Sequence, residues 1–232
     1  MQGQNRYTIV PIVEGHGEVT AVPELLTQWF KHRRFYNFEA TKLSIRAPKD
    51  SMLAPFDLVR ENGIELYVRR AAARRPDGII VMLDSDDECR KRVGRPPEEQ
   101  LGPELLQRAV NEVGHIPIGV VVADREFEAW YLAAHMRFKT QGHFDPEVRF
   151  PVDFDFEQPR DCKGYVSKFI GWKYSETADQ KELAKHIGFG SYMGRHCRSF
   201  AKLMRDLERV TQNARRNRRI ELRRKRKQGA EG

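Results

Sequence analysis

The chain has 232 residues and a net charge of +8, with 40% hydrophobic and 32% charged residues. At about 150 residues per domain, that allows one large domain, or one domain with a small appendage, with enough apolar mass for a sizeable core. No apolar run approaches the ~18 residues of a membrane span, the N-terminus lacks a signal-peptide pattern, and three cysteines without a CxxC pair (Cys89, Cys162, Cys197) argue against a disulfide framework or a cysteine-type zinc site. A cytoplasmic protein is expected.

The charge is uneven. Residues 211–232 hold nine lysines and arginines against two glutamates, whereas the other 210 residues hold 32 basic and 31 acidic groups. A nearly neutral body with a basic tail points to a polyanion such as nucleic acid. A solvated helix end that aids solubility explains the same composition.

In chain order, Tyr7 to Val13 (YTIVPIV) reads as a buried strand. Pro11 within it suggests an edge or a bend. After the loop EGHGE, Val19 to Arg33 reads as an amphipathic helix, Ala40 to Ile45 as a strand, and Phe56 to Ala73 as a helix with a weak point at Gly63. Ile79 to Leu83 (IIVML) is the clearest buried strand and ends in Asp84-Ser85-Asp86-Asp87-Glu88. A helix over Glu98 to Val113, a strand over Ile116 to Val122 ending in Asp124-Arg125-Glu126, and a helix over Phe127 to Phe138 follow. Alternating strands and helices predict an α/β fold with a mainly parallel sheet flanked by helices.

The chain then reads as loop over 141–158 and helical after Pro159: Tyr165 to Ile170, Ala178 to Ile187, and a long helix from Phe200 to about Lys227 whose second half is almost wholly polar. That half is expected to be exposed. The expected organisation is an α/β domain over 1–140, a helical module packed on it over 141–210, and a basic tail over 211–232.

Functional groups in open α/β sheets gather where strands end at their C-terminal edge. Three predicted strands end there in acids: Glu14 and Glu18; Asp84 and Asp86, beside Asp87 and Glu88; and Asp124, Glu126 and Glu128. Carboxylates packed together repel one another, and Mg²⁺ or Mn²⁺ relieves that while suiting oxygen ligands. Two such ions ~4 Å apart form a site for phosphodiester hydrolysis. In an extended segment Asp84 and Asp86 point the same way and can face one metal. Taken singly, each acid is better explained as a helix cap or first-turn residue; the conjunction at three strand ends favours the site. His16 lies in the first loop and is more simply exposed than catalytic, and His196-Cys197 has no partner at zinc spacing.

Val13-Glu14-Gly15 followed by Asp84-Ser85-Asp86 resembles the V-E-G and D-x-D pair of the Toprim domain, found in topoisomerases, primases and the overcoming-lysogenization-defect (OLD) nucleases. That resemblance spans about residues 7–130. Asp124-Arg125-Glu126-Phe127-Glu128-Ala129-Trp130, Lys163-Gly164-Tyr165, Tyr174 to Gln180 and Arg198-Ser199-Phe200 resemble the Toprim-like family labelled DUF4276, over nearly the whole chain. The resemblance implies a Toprim/Rossmann-like sheet with a C-terminal helical extension. It implies that Glu14, Asp84 and Asp86 are catalytic, that Glu14, Glu18, Asp84, Asp86, Glu126 and Glu128 are metal ligands, and that Mg²⁺ or Mn²⁺ is the cofactor. Its members are often encoded beside ATPases of the SMC/ABC type, in settings like phage-defence or mobile-element cassettes.

The resemblance assigns no phosphate-stabilising cation. Arg125 is the nearest candidate, with Lys163 and Arg198 as others. Arg215, Arg216, Arg218 and Arg219 of the tail suit backbone phosphates without reading sequence. Gln180, Lys181, Lys185, Arg195 and Arg198 form either a phosphate-tracking surface, with Trp172 and Tyr174 stacking on bases, or an ordinary helix surface over packed aromatics; packing is favoured. Ser199 suits an N-cap. The leading expectation is a metal-dependent Toprim-type nuclease. A non-catalytic partner subunit that binds nucleic acid or an ATPase is the second. A phosphohydrolase of the haloacid-dehalogenase type ranks low, because it carries D-x-D after its first strand.

Overall fold

The computed structural model describes residues 6–228. The last four residues of the expected basic tail and the first five of the chain lie outside the described residues. Five strands, β1 (Tyr7–Val13), β2 (Phe38–Ala40), β3 (Ile45–Arg46), β4 (Gly78–Asp84) and β5 (Ile118–Ala123), form one sheet in the order β2-β1-β4-β5, with β3 also paired to β1. Every pairing is parallel. The expected α/β class with a C-terminal helical extension is what the chain adopts.

Side-chain alternation along the strands supplies both cores. Val10 and Ile12, Ile79 and Val81, and Ile118 and Val120 face α3 (Ile64–Ala72) and α5 (Leu101–Val113). Ile9 and Val13, Ile80 and Met82, and Val121 and Ala123 face a larger helical layer. That layer holds α1 (Glu18–His32), α6 (Ala129–Ala133), α7 (His135–Thr140), α8 (Cys162–Ile170), α9 (Glu176–His186), α10 (Ser191–His196) and α11 (Arg198–Gln228). Two short helices, α2 (Lys49–Leu53) and α4 (Glu88–Lys91), follow β3 and β4.

Pro11 lies in an interior strand, contrary to the expected edge or bend. Tyr7, Ile9 and Val13 present their backbone groups to the β2/β3 side, through Tyr7 N–H to Asn37 O (2.8 Å), Thr41 N–H to Ile9 O (3.0 Å) and Ala47 N–H to Val13 O (2.8 Å). Pro11 shares that orientation and falls opposite the gap between β2 and β3, where β1 has no ladder partner to lose.

The strand expected over Ala40 to Ile45 is two short strands separated by a turn. The helix expected from Phe56 begins only at Ile64. Asp57 Oδ1 accepts the N–H groups of Val59 and Arg60 (2.9 and 3.1 Å), and Asp57 and Asn62 exchange backbone bonds, so local side-chain capture replaces the helix. Gly63 turns the chain at φ 96°, a region open to glycine. The helix expected over Phe127 to Phe138 breaks at Ala134 into α6 and α7.

Ser199 is not the N-cap of α11. The buried Glu157 carboxylate, delivered by a distant loop, accepts the Arg198 and Ser199 N–H groups (2.9 and 2.8 Å) and the Ser199 hydroxyl (2.5 Å). Ser199 Oγ in turn accepts the Trp130 indole N–H at 2.7 Å. Along the outer edge of β5, α11 sends Lys202 to Val120 O (3.2 Å) and Arg209 to Ile118 O (2.7 Å).

No helix among the described residues is long and apolar enough to cross a membrane.

The loop before α1 lies hard against α9. A methyl group at Gly17 would approach the Glu176 carbonyl oxygen and Gln180 Oε1 to 2.4 Å. Gly17→Ala should therefore destabilise the protein by about 1–3 kcal/mol through overpacking, read as a lower urea midpoint at unchanged slope.

Candidate acidic metal centre

The centre forms where β1, β4 and β5 end. Glu14 follows β1, and its Oε2 accepts the Asp84 N–H at 3.1 Å, so two strand ends are tied directly. Glu18 opens α1 but turns back, accepting the N–H groups of Glu14 (3.2 Å) and Gly15 (3.3 Å). Glu128, just before α6, accepts the Tyr174 hydroxyl (2.9 Å) and the Gln180 amide (3.3 Å), leaving Oε2 buried without a hydrogen-bond partner. Glu126 Oε2 is left likewise.

These acids feel one another. Burial, opposed in part by the Gly15 N–H and reinforced by the charges of Glu128 and Glu14, pushes Glu18 up to about 8. Burial and then the charges of Glu18, Glu128 and Glu14 raise Asp84 well above the ordinary carboxylate range. Burial and the charge of Glu128 push Glu126 up to about 7. Burial also raises Glu14 and Glu128. Glu14, Glu18, Asp84 and Glu128 are thus one electrostatic group.

Asp86 stands apart from it. The D-x-D segment is not extended: β4 ends at Asp84, and Asp86 adopts φ 46°, so the expectation that both acids point the same way is corrected. Its N–H donates to Arg125 O (3.1 Å), while Arg125, at φ 66°, donates its N–H to Ser85 Oγ (2.9 Å). Two non-glycine residues in the left-handed region cost on the order of 1 kcal/mol each, and these reciprocal bonds hold them there. Asp86 is 65% exposed and pairs with Lys49, whose ammonium lies 3.9 Å from Glu14. Sequence reasoning passed over Lys49; its position just after a parallel strand was the available signal.

The cations divide into two groups. Arg125 is buried with its Nε lacking a hydrogen-bond partner and lies 3.6 Å from Asp87, which Arg160 also meets at 3.1 Å. Lys163 pairs with Glu176 at 2.6 Å; burial works against its charge, but that pair and the Glu128 and Asp84 charges hold its pKa above the ordinary lysine value. Arg198 is exposed near Asp124 (3.6 Å). These three share the acidic rim. The tail cations do not. Arg218 pairs with Asp77 (2.6 Å) just before β4 and stacks on Tyr7 at the start of β1 (3.9 Å), and Arg215 lies over Phe35 (4.2 Å). They sit at the opposite end of the strands, roughly 20 Å away for a seven-residue strand. Arg216 and Arg219 are exposed.

Tyr174 packs as expected, but Trp172 is exposed. Gln180 is buried on Glu128 instead of lying on a phosphate-tracking surface, whereas Lys181, Lys185 and Arg195 are exposed. His16 is exposed.

The all-oxygen donor set, the orphaned Glu128 Oε2 and the mutual repulsion fit a hard divalent cation. Among the described residues, no three His, Cys, Asp or Glu side chains are yet gathered closely enough to hold one.

A parallel α/β sheet with acids at its C-terminal rim and a helical layer over them is the class this architecture defines. The chain belongs to the family described as "Domain of unknown function (DUF4276)", which matches residues 13–208, a span that includes all six rim acids and ends before the tail cations. No curated protein matches the chain. Among solved structures it is similar to the C-terminal region of the Burkholderia pseudomallei OLD protein, at 14% identity and a TM-score of 0.40, covering 90% of this chain and 98% of that one. It is also similar to the C-terminal region of the Xanthomonas campestris pv. campestris OLD protein, at 14% identity and a TM-score of 0.35, covering 88% and 94% respectively.

A carboxyl group held at about 8 against an ordinary 4.5 stabilises the fold fully below pH 4.5 and loses that contribution as pH rises through 8. The melting temperature should fall between about pH 5 and pH 8.5. Calorimetry on Glu18→Gln should show a flatter profile than wild type over the same window.

Proposed function

We propose that the protein is a metal-dependent Toprim-type nuclease that hydrolyses phosphodiester bonds in DNA or RNA, working in the cytoplasm with a partner ATPase of the SMC/ABC type in a phage-defence or mobile-element setting. The observation that carries this reading is the direct bond from Glu14 to the Asp84 backbone, which joins two strand-end acids in a group that burial, and then mutual repulsion, disfavours in its fully ionised form.

Glu14, Glu18, Asp84 and Glu128 would hold the ion, with Asp86 and Glu126 flanking them. Bound Mg²⁺ or Mn²⁺ would supply a more acidic water and a charge to stabilise the leaving oxygen. Glu14 and Asp84 set the position of the centre through their shared hydrogen bond. Glu18 fixes the Glu14-Gly15 turn from below. Tyr174 and Gln180 orient Glu128. Arg125 and Lys163 are the rim cations that would meet the substrate phosphate, with exposed Arg198 beside them. The exposed end of α11, beyond Arg219, would contact phosphates along the backbone.

A second reading, a non-catalytic subunit that binds nucleic acid or the ATPase, is favoured by one observation: the tail cations lie at the far end of the sheet from the acids. The tail would then be the docking element and the acids a structural centre.

Purified protein should cleave plasmid, single-stranded DNA or tRNA in Mg²⁺ or Mn²⁺, alone or with its ATPase. Glu14→Gln and Asp84→Asn should each lose about 10²-fold or more of that activity while melting normally. Nucleic-acid binding that survives both changes, with no cleavage on any substrate, supports the subunit reading instead.

The apolar contacts of α11 reach Ala214, and Arg215 and Arg218 pack on the body, so a useful truncation ends after Arg219. It should fold, bind nucleic acid more weakly, and reduce the salt slope by about 0.9 for each phosphate that the removed cations neutralise. Equal affinity and slope in a filter-binding titration would remove the tail from the interface.

A further inference from the structure

Lys49 is built into the acidic rim. Strand β3 runs parallel to β1, with Val13 opposite Arg46, and the Ala47 N–H bonds Val13 O at 2.8 Å. The chain therefore leaves β3 at the height of Glu14, and Pro48 directs it into α2, whose first residue is Lys49. That helix is anchored: Met52 is fully buried, the Gly63 N–H bonds Ser51 O (2.7 Å), and Ser51 Oγ meets the Tyr67 hydroxyl (2.8 Å). The Lys49 side chain is only 13% exposed, and its ammonium bonds Asp86 and faces Glu14 Oε1. An ordinary surface ion pair is exposed on both sides and contributes about 0–1 kcal/mol. This one has a covered stem and two acids from different strand ends.

Glu14 is shared between two neighbourhoods. Its Oε2 lies on the Asp84 backbone, among the inner acids, and its Oε1 faces the lysine. On the outer side, Glu14 and Asp86 converge on one positive charge, as two carboxylates do on a divalent ion. We propose that Lys49 is a resident cation of this centre: it fills the outer position, between Glu14 and Asp86, and leaves room for a single divalent ion on the inner side, among Glu14, Glu18, Asp84 and Glu128. Lys49 is then a positioning residue for the metal centre. This deepens the nuclease reading and rests on its metal, but its test does not need cleavage.

The measurement is Mn²⁺ stoichiometry, by isothermal titration and by the loss of the free Mn²⁺ electron paramagnetic resonance signal, on wild type, Lys49→Met and Lys49→Arg. Circular dichroism and melting confirm folding. Lys49→Met should gain one Mn²⁺ per chain relative to wild type, and Lys49→Arg should not. An unchanged stoichiometry in Lys49→Met overturns the proposal, as does wild type that already holds two ions. If wild type binds none and Lys49→Met binds one, the lysine is a cation substitute but the native metal reading fails. If neither binds Mn²⁺, both fail. Should Lys49→Met not fold, Lys49→Gln takes its place: it should likewise gain one Mn²⁺ per chain, and an unchanged stoichiometry there overturns the proposal.

Discussion

Negative charge at the C-terminal rim of a parallel sheet is the constraint around which this protein is arranged. β1, β4 and β5 each bring acids there, and the helical layer takes the inner ones, Glu18 and Glu128, out of water. Repulsion and desolvation act together, and the structure answers them with peptide N–H groups under Glu14 and Glu18, a tyrosine and a glutamine on Glu128, and lysines 49 and 163 at the margins. Despite these partners, burial first and the neighbouring charges second hold the carboxyl pKa values of the inner group above their ordinary range. Under the proposed reading, a divalent cation would relieve that residual imbalance.

The C-terminal half is as much a part of that centre as the sheet. Tyr174 and Gln180 come from α9 and the turn before it, and Lys163 from α8. These helices share one apolar core with α1 and with the inner face of β1, β4 and β5. The loop acid Glu157 locks the start of α11 beneath Trp130, which follows Glu128 and Ala129 in the chain. Burial of the acids and packing of the helices are therefore one event, and loosening α9 would wet the rim.

Much of this was legible in the residues. β-branched runs marked three main strands, and acids at their ends marked the centre, because side-chain period and strand-end placement are local properties. What was not legible depends on partners distant in sequence. Pro11 is tolerated inside the sheet only because β2 and β3 leave a gap beside it. The helix over Phe56 to Gly63 was lost to the Asp57 side chain, a local competitor that apolar spacing does not register. Asp84 and Asp86 diverge because of one left-handed residue. Ser199 is capped rather than capping, since Glu157 arrives from 42 positions away. Charge alone does not place the tail arginines, and the direction of α11 across the sheet sets Arg218 at the end of the strands opposite the rim.

The ladder ends at β5, and α11 seals that border. Lys202 and Arg209 occupy carbonyls that a neighbouring strand would otherwise use, and Arg209 and Lys202 also bind Asp206 between them. On the opposite side, β2 and β3 are only three and two residues long. Among the described residues, the sheet therefore offers an added strand only a short stretch of open backbone on one side and a sealed edge on the other.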